Sequence, residues 1–362
     1  MTDDEKTTQT GDTTDTPRGP GSGAEGKGAG PAKKPEPTDD LVTTHHTLHT
    51  PEGDLSYAAT TGRIVLRQEV HKEDKYDGRK PKAEVSITYY TLDPSTGSGQ
   101  RADYAAYFFP YFTGESTADG ETISFAVSNG PDPLEWTTLN GGKPVLSSTL
   151  GTKGLRDPFL IRGGDGTYYL LATDLQIYGG GNFGDAQETG SRSLMVWEST
   201  DLVNWGEQRE IELAPENAGN LWAPEAYWDE AAGEFVVYWA SALYPADVPP
   251  AERDIRTSYQ RMLYATTTDF ETFSEPQPWI DEPQGDGLGM IDSTVQEEDG
   301  VYYRLTKDES YMGMRQESST DLRRTQGVTD GDGWDLIAER IGFGQPNPWG
   351  GTFTGGEGPT LF

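Results

Sequence analysis

Apolar positions along the middle and C-terminal parts of the chain fall in short runs of about four to eight residues, bounded by Gly, Asp and Asn, and this is strand spacing rather than helix spacing. The clearest run is Leu155-Arg-Asp-Pro-Phe-Leu-Ile-Arg162, which turns through Asp165-Gly166 into Thr167-Tyr-Tyr-Leu-Leu-Ala-Thr-Asp174. The second half of this pattern returns at 232–241 and again at 299–308. The turn glycines Gly166, Gly233 and Gly300 are each 67 residues apart. A second marker repeats with nearly the same period: Asp132-Pro-Leu-Glu-Trp136, Asp201-Leu-Val-Asn-Trp205, Asp269-Phe-Glu-Thr-Phe273 and, more loosely, Gly333-Trp334. Two markers that agree on a period of 61 to 69 residues, with about four strand signals in each, predict the blades of a β-propeller. Helix signals are few, which argues against an α/β sheet.

The remaining parts of the chain differ in composition. Residues 1–41 are Thr, Asp, Gly, Pro, Lys and Glu with almost nothing to bury, and are expected to be a disordered acidic tail. Residues 42–100 form a short β-rich segment and linker, with strands expected at 54–62, 63–67 and 82–92 and a charged, solvated loop at 69–80. This segment resembles the opening strands of the serine carboxypeptidase-like α/β-hydrolases, but the chain holds neither their Gly-rich oxyanion segment nor a Gly-x-Ser-x-Gly elbow. No activity is expected of it, and it reads as foreign to the repeat region. The linker composition at 95–100 leads into that region, 101–362, where strands are expected at 104–112, 122–128 and 134–139.

Composition narrows the chemistry. The chain has no cysteine, and its four histidines, His45, His46, His49 and His71, all precede the repeats. Thiolate, Ser-His and His-metal chemistry are therefore closed to the repeat region. The net charge is −32; residues 1–41 carry five basic and nine acidic groups, or −4, which leaves −28 for the rest. Such a surface repels nucleic acid. No run of 18 apolar residues predicts a transmembrane helix, and the N-terminus lacks a signal-peptide layout. The expectation is a monomer without nucleic-acid or membrane partners, cytoplasmic as written and secreted if the N-terminus is not native. No cofactor is expected; oxygen ligands for a structural cation such as calcium abound, yet no spacing demands one.

In a propeller the first strand of each blade lines the central channel. Aligning Asp157-Pro-Phe-Leu, Glu225-Ala-Tyr-Trp, Asp292-Ser-Thr-Val and Glu357-Gly-Pro-Thr places four acids on that channel, at spacings of 68, 67 and 65. Converging carboxylates without His or Cys fit glycoside hydrolysis, which needs one protonated acid to donate to the leaving oxygen and one ionised acid to activate water or attack. A third carboxylate raises the donor's pKa by like-charge repulsion. Phe159, Trp222, Tyr227 and Trp349 are the aromatic candidates for stacking on sugar faces.

The motifs Arg156-Asp-Pro-Phe-Leu-Ile, Leu221-Trp-Ala-Pro-Glu225, Ile291-Asp-Ser-Thr-Val295 and Gly356-Glu-Gly-Pro359 resemble, in order, those of glycoside hydrolase family 43. The resemblance runs from about residue 104 to 362 and implies a five-bladed propeller acting with inversion on arabinose- or xylose-containing polysaccharide. By position it implies Asp157 as general base, Asp292 as the carboxylate that tunes and orients the acid, Glu357 as general acid, and Glu225 as a substrate-binding residue. A chain ending five residues after Glu357 is expected to hold an incomplete propeller, about one blade short, with Glu357 poorly supported and activity weak or absent. Two other readings stay open: a fructan-active five-bladed enzyme, in which the Arg-Asp-Pro acid stabilises the transition state, and a carbohydrate-binding propeller without catalysis.

Overall fold

The computed structural model describes residues 40–50, 53–72, 75–92, 106–130, 136–328, 333–345 and 352–361. The expected tail, apart from its last two residues, and the 95–100 linker lie outside them, as do Asp132 and Trp349. The regular secondary structure of the described residues is almost entirely β, with one α-helix and three short 3-10 turns.

Strands β1 (Asp40–Thr50), β2 (Gly53–Lys72) and β3 (Lys75–Leu92) form antiparallel ladders. The charged stretch expected as a loop at 69–80 instead continues the β2–β3 ladder, with Glu69 opposite Arg79 and His71 opposite Tyr76. Ladder bonds join backbone groups, so a run of charged side chains does not end them. A single parallel pair, Arg67 with Thr137, joins β2 to the first blade sheet, β4 (Phe108–Tyr111), β5 (Ser124–Ser128) and β6 (Trp136–Thr138).

Three four-stranded antiparallel meanders complete the described sheets. The second blade is β7 (Leu155–Arg162), β8 (Tyr168–Asp174), β9 (Ser193–Ser199) and β10 (Arg209–Glu212), with helix α1 (Phe183–Thr189) between β8 and β9. The third is β11 (Trp222–Asp229), β12 (Glu234–Ala242), β13 (Gln260–Thr267) and β14 (Gln277–Ile280). The fourth is β15 (Met290–Glu298), β16 (Val301–Asp308), β17 (Gly313–Ser319) and β18 (Asp335–Ile341). This is an all-β propeller. Among the described residues it has four blade sheets, where the sequence implied a five-bladed ring about one blade short, so a count of five is not confirmed.

The 67-residue period marks the hairpin between the first two strands of each complete blade. Gly166, Gly233 and Gly300 have φ of +91°, +69° and +80°, a backbone region open to glycine but costly for residues with a Cβ. The second marker is a Ser/Thr-x-Asp turn leaving the third strand. Ser199 Oγ accepts from Leu202 N and Asp201 Oδ1 from Asn204 N; Thr267 and Asp269 do the same for Phe270 and Thr272. In the fourth blade the equivalent turn is at Ser319–Asp321, not at Gly333-Trp334. Trp334 instead packs edge-on against Trp279, ring centroids 5.8 Å apart.

Strand alternation explains how the blades stack. Tyr169 and Leu171 of β8 join a core with Phe235, Val237 and Trp239 of the third blade. Leu170 and Ala172, one position out of phase, face Ile123 and Phe125 of the first. The middle strands thus bury both faces, which is why they read as continuous apolar runs. Full burial of a side chain the size of Trp239 contributes on the order of 3 kcal/mol. Between the third and fourth blades the packing includes charge. Arg304 and Glu317 are 0% and 1% exposed and bonded at 2.7 Å, and the guanidinium lies 4.6 Å and 4.2 Å from the rings of Trp279 and Trp334.

Candidate active site

The first strands of the three complete blades are each interrupted at the same place. The register slips between Arg156 and Phe159 in β7, between Trp222 and Glu225 in β11, and between Ile291 and Ser293 in β15. The residue inside each bulge has left-handed backbone: Asp157 at φ 47°, Ala223 at 47° and Asp292 at 55°. Such a conformation costs roughly 1–2 kcal/mol per non-glycine residue, and bulges of this kind re-aim a side chain out of the strand's alternation. Here they turn Asp157 and Asp292 into one cavity.

This register corrects the four-acid alignment. Ala223, not Glu225, is the equivalent of Asp157 and Asp292. The sequence carried the signal, since Ala223-Pro224 matches Asp157-Pro158. Glu225 lies two residues on, yet still lines the same cavity, of about 970 Å³, together with Asp157, Asp292, Lys307 and Glu357. Glu357 is on no strand. Its segment, 352–361, is tied to the fourth blade by Gly356 N donating to Met312 O at 2.9 Å and Gly358 N donating to Asp292 Oδ2 at 3.3 Å. These contacts place Glu357 at the cleft.

Each acid has a distinct setting. Thr173 Oγ1 donates to Asp157 Oδ2 at 2.9 Å and accepts from Ala223 N at 2.8 Å, so one fully buried hydroxyl links two bulges. Burial raises the Asp157 pKa, with the neighbouring Arg156 and the Thr173 bond opposing and Glu357 adding to the rise. Burial likewise pushes Asp292 up to about 7, against the pull of Lys307 and with repulsion from Asp157 and Glu357. Glu225 is pushed up to about 8 by burial, opposed by its bonds to Thr294 and Tyr238. Tyr238 Oη donates to Glu225 Oε2 at 3.3 Å. Lys307 Nζ donates to Glu357 Oε2 at 2.6 Å.

One wall of the cleft is built around Arg156. Its Nη1 is 3.0 Å from both Glu115 Oε2 and Glu121 Oε1, and its guanidinium lies 4.9 Å from the ring of Phe112 and 5.1 Å from that of Phe183. Phe183 meets Trp222 edge-on at 6.3 Å, and both line the cavity. The arrangement offers an apolar face beside polar groups, which is what a pyranose or furanose ring presents in return.

Two expected sugar-stacking residues are elsewhere. Phe159 packs on the core between the second and third blades, and Tyr227 packs on the next core, edge-on to Tyr302 at 5.4 Å. Both come after the bulges, where alternation has resumed and carries them away from the channel. Trp349 lies outside the described residues. Thr173, Lys307, Arg156 and Phe183 were not singled out from sequence. Among the described residues no cluster of three or more His, Asp and Glu side chains is arranged to hold a metal ion.

An α-L-arabinofuranosidase of Bifidobacterium longum subsp. longum is 39% identical over 62% of this chain, and the chain spans about a fifth, 21%, of that protein's length. Solved structures with similarity include a thermostable family-43 glycoside hydrolase (12% identity, 65% of this chain and 69% of that one, TM-score 0.44). Another is the Penicillium chrysogenum α-L-arabinanase bound to arabinobiose (14% identity, 88% of this chain and 74% of that one, TM-score 0.40). The match to a family begins at residue 102, and none of these comparisons supports the likeness of the 42–100 segment to serine carboxypeptidase-like hydrolases. Residues 102–362 match the family described as "Probable glycosyl hydrolase domain", related to glycoside hydrolase family 43, and the chain belongs to that family.

Proposed function

We propose that the cleft hydrolyses glycosides of arabinose or xylose with inversion, and that the four described sheets belong to the five-bladed ring of such enzymes. One observation carries the reading: Asp157, Asp292 and Glu357, from two strand bulges and a separate strap, meet in one cavity with Glu225 and a single lysine. Asp157 acts as the general base. Thr173 occupies its Oδ2 and leaves Oδ1 for a water. That water adds to the anomeric carbon from one face as its proton passes to Asp157, while Glu357 gives a proton to the departing oxygen on the other. Asp292 stands close enough to Glu357 for their charges to repel.

Glu225 binds. Burial keeps it protonated to about 8, so it can donate to a sugar hydroxyl while Tyr238 satisfies its other oxygen. Trp222, braced by Phe183, supplies the apolar face. The arabinofuranosidase relative supports arabinose as the first sugar to try.

Leaving-group dependence tests the roles of the acids. With Asp157→Ala, kcat should fall about 10²- to 10⁴-fold on every arabinofuranoside. With Glu357→Ala the same loss is expected for alkyl or sugar leaving groups, but much less for dinitrophenyl, which departs without protonation. Equal losses across leaving groups in Glu357→Ala contradict its assignment as the acid.

A further inference from the structure

The bulges share a second regularity. Opposite the residue just before each bulge, on the neighbouring strand, stand Thr173 (facing Arg156), Ala240 (facing Trp222) and Lys307 (facing Ile291). Where the bulge residue is an acid the facing residue is polar, and where it is Ala223 the facing residue is alanine. Thr173 bonds its acid directly. Lys307, next to Asp292, reaches further and bonds Glu357.

The two ends of that bond differ in how they are held. The Lys307 side chain is 9% exposed and that of Glu357 is 73% exposed. Glu357 stands on a segment without regular structure, so packing does little to fix its rotamer. Lys307 stands on a middle strand, fixed on both sides by ladders. A lysine this deep is costly unless paired. The charged groups facing it are Asp292 from β15, Glu357 from the strap and Glu309 from beyond β16, with Asp157 across the cavity. Behind these stand Arg156, beside Asp157, and Glu225, beside Asp292.

We propose that Lys307 is a positioning residue for the hydrolysis: it aims the Glu357 carboxyl into the cavity and, when Glu357 takes up its proton, gives its whole charge to Asp292, which then stays ionised. The proposal rests on the glycosidase reading of the cleft. It explains how an exposed acid on a strap can act at a fixed point, and how two repelling carboxylates can share the site. Burial pulls the Lys307 pKa down, but Asp292 and Glu357 more than reverse this, so the ammonium is charged throughout the working range.

Lys307 holds the Asp292 pKa down, so removing its positive charge raises that pKa further. The part of the pH profile set by ionisation of Asp292 then moves to higher pH. In Lys307→Met the acid limb of kcat/KM against pH should shift to higher pH by about one to three pH units. Its kcat should fall at least tenfold with KM little changed. Lys307→Arg keeps the charge but not the shape, so its acid limb should stay within about half a pH unit of wild type at reduced kcat.

The test has one readout that needs no substrate. Side-chain carboxyl ¹³C titration of the full chain, assigned with Asp292→Asn, should show the Asp292 midpoint raised in Lys307→Met and nearly unmoved in Lys307→Arg. An unmoved Asp292 midpoint in Lys307→Met overturns the proposal whatever the activity. If Lys307→Met does not fold, the reciprocal measurement decides. The Lys307 Nζ midpoint, followed by ¹⁵N NMR, should fall in Glu357→Gln and in Asp292→Asn, and no change in either overturns the proposal. Midpoints that move as expected in a chain that hydrolyses no arabinofuranoside or xyloside sustain the charge coupling and remove the glycosidase reading beneath it.

Discussion

Asp292 gives the cleft a signature in stability as well as rate. Its folded pKa is pushed up to about 7, from an ordinary value of 3.8. A carboxyl raised on folding favours the native state in its protonated form, so its contribution is full below about pH 4 and is lost as pH rises through 7. The ceiling on that loss is about 4 kcal/mol, from roughly three pKa units at 1.36 kcal/mol each. The residue lines an open cleft, and screening by water roughly halves this, to about 2 kcal/mol. Asp292→Asn removes the ionisation while keeping an oxygen for Gly358 N. Equilibrium urea unfolding of both proteins at pH 4.5 and pH 8.5, in one salt, isolates the effect, because the general repulsion of an acidic chain cancels in the difference. The variant should gain about 2 kcal/mol relative to wild type between the lower and the higher pH. A pH-independent difference, or a variant that loses ground at pH 8.5, refutes the electrostatic account of the site.

Thr173→Val should cost about 1–3 kcal/mol in urea unfolding and lower kcat, since it leaves Ala223 N and Asp157 without their shared buried partner. Unchanged stability and kcat would mean that the link is dispensable. Arg304→Ala should cost about 3–5 kcal/mol, because Glu317 stays buried without its closest cation and two indoles lose the group between them; a loss under 1 kcal/mol contradicts this. Phe159→Ala should destabilise by about 2–3 kcal/mol with KM nearly unchanged, whereas Trp222→Ala should raise KM severalfold at near-wild-type stability. The opposite pattern, read from unfolding and initial rates, would return Phe159 to the cleft.

The blade architecture was legible because a hairpin turn needs a residue that tolerates positive φ. Glycine marked it three times at one spacing, and no tertiary information was required. Asp157 and Asp292 were legible for a related reason, since each opens an apolar strand where an unused carboxylate is costly. The bulges were not. A one-residue slip leaves no mark on composition, yet it decides that Ala223 is the true counterpart of the two acids and that Phe159 and Tyr227 turn into the cores. Lys307 was hidden by distance: its partner Glu357 is 50 residues away in the chain and joins it only through the strap. The Arg156 wall was hidden similarly, because Glu115 and Glu121 come from the preceding blade.

The central claim is that Asp157 and Glu357 work from opposite faces of one sugar in this cleft. The most direct test is the anomeric form of the first product. The chain is mixed with an aryl α-L-arabinofuranoside, and the anomeric proton is followed by NMR from the earliest turnovers, before mutarotation. The β-anomer should appear first with wild type, and its release should be slowed about 10²- to 10⁴-fold with Asp157→Ala. Initial release of the α-anomer, or binding of the sugar without turnover, contradicts the claim.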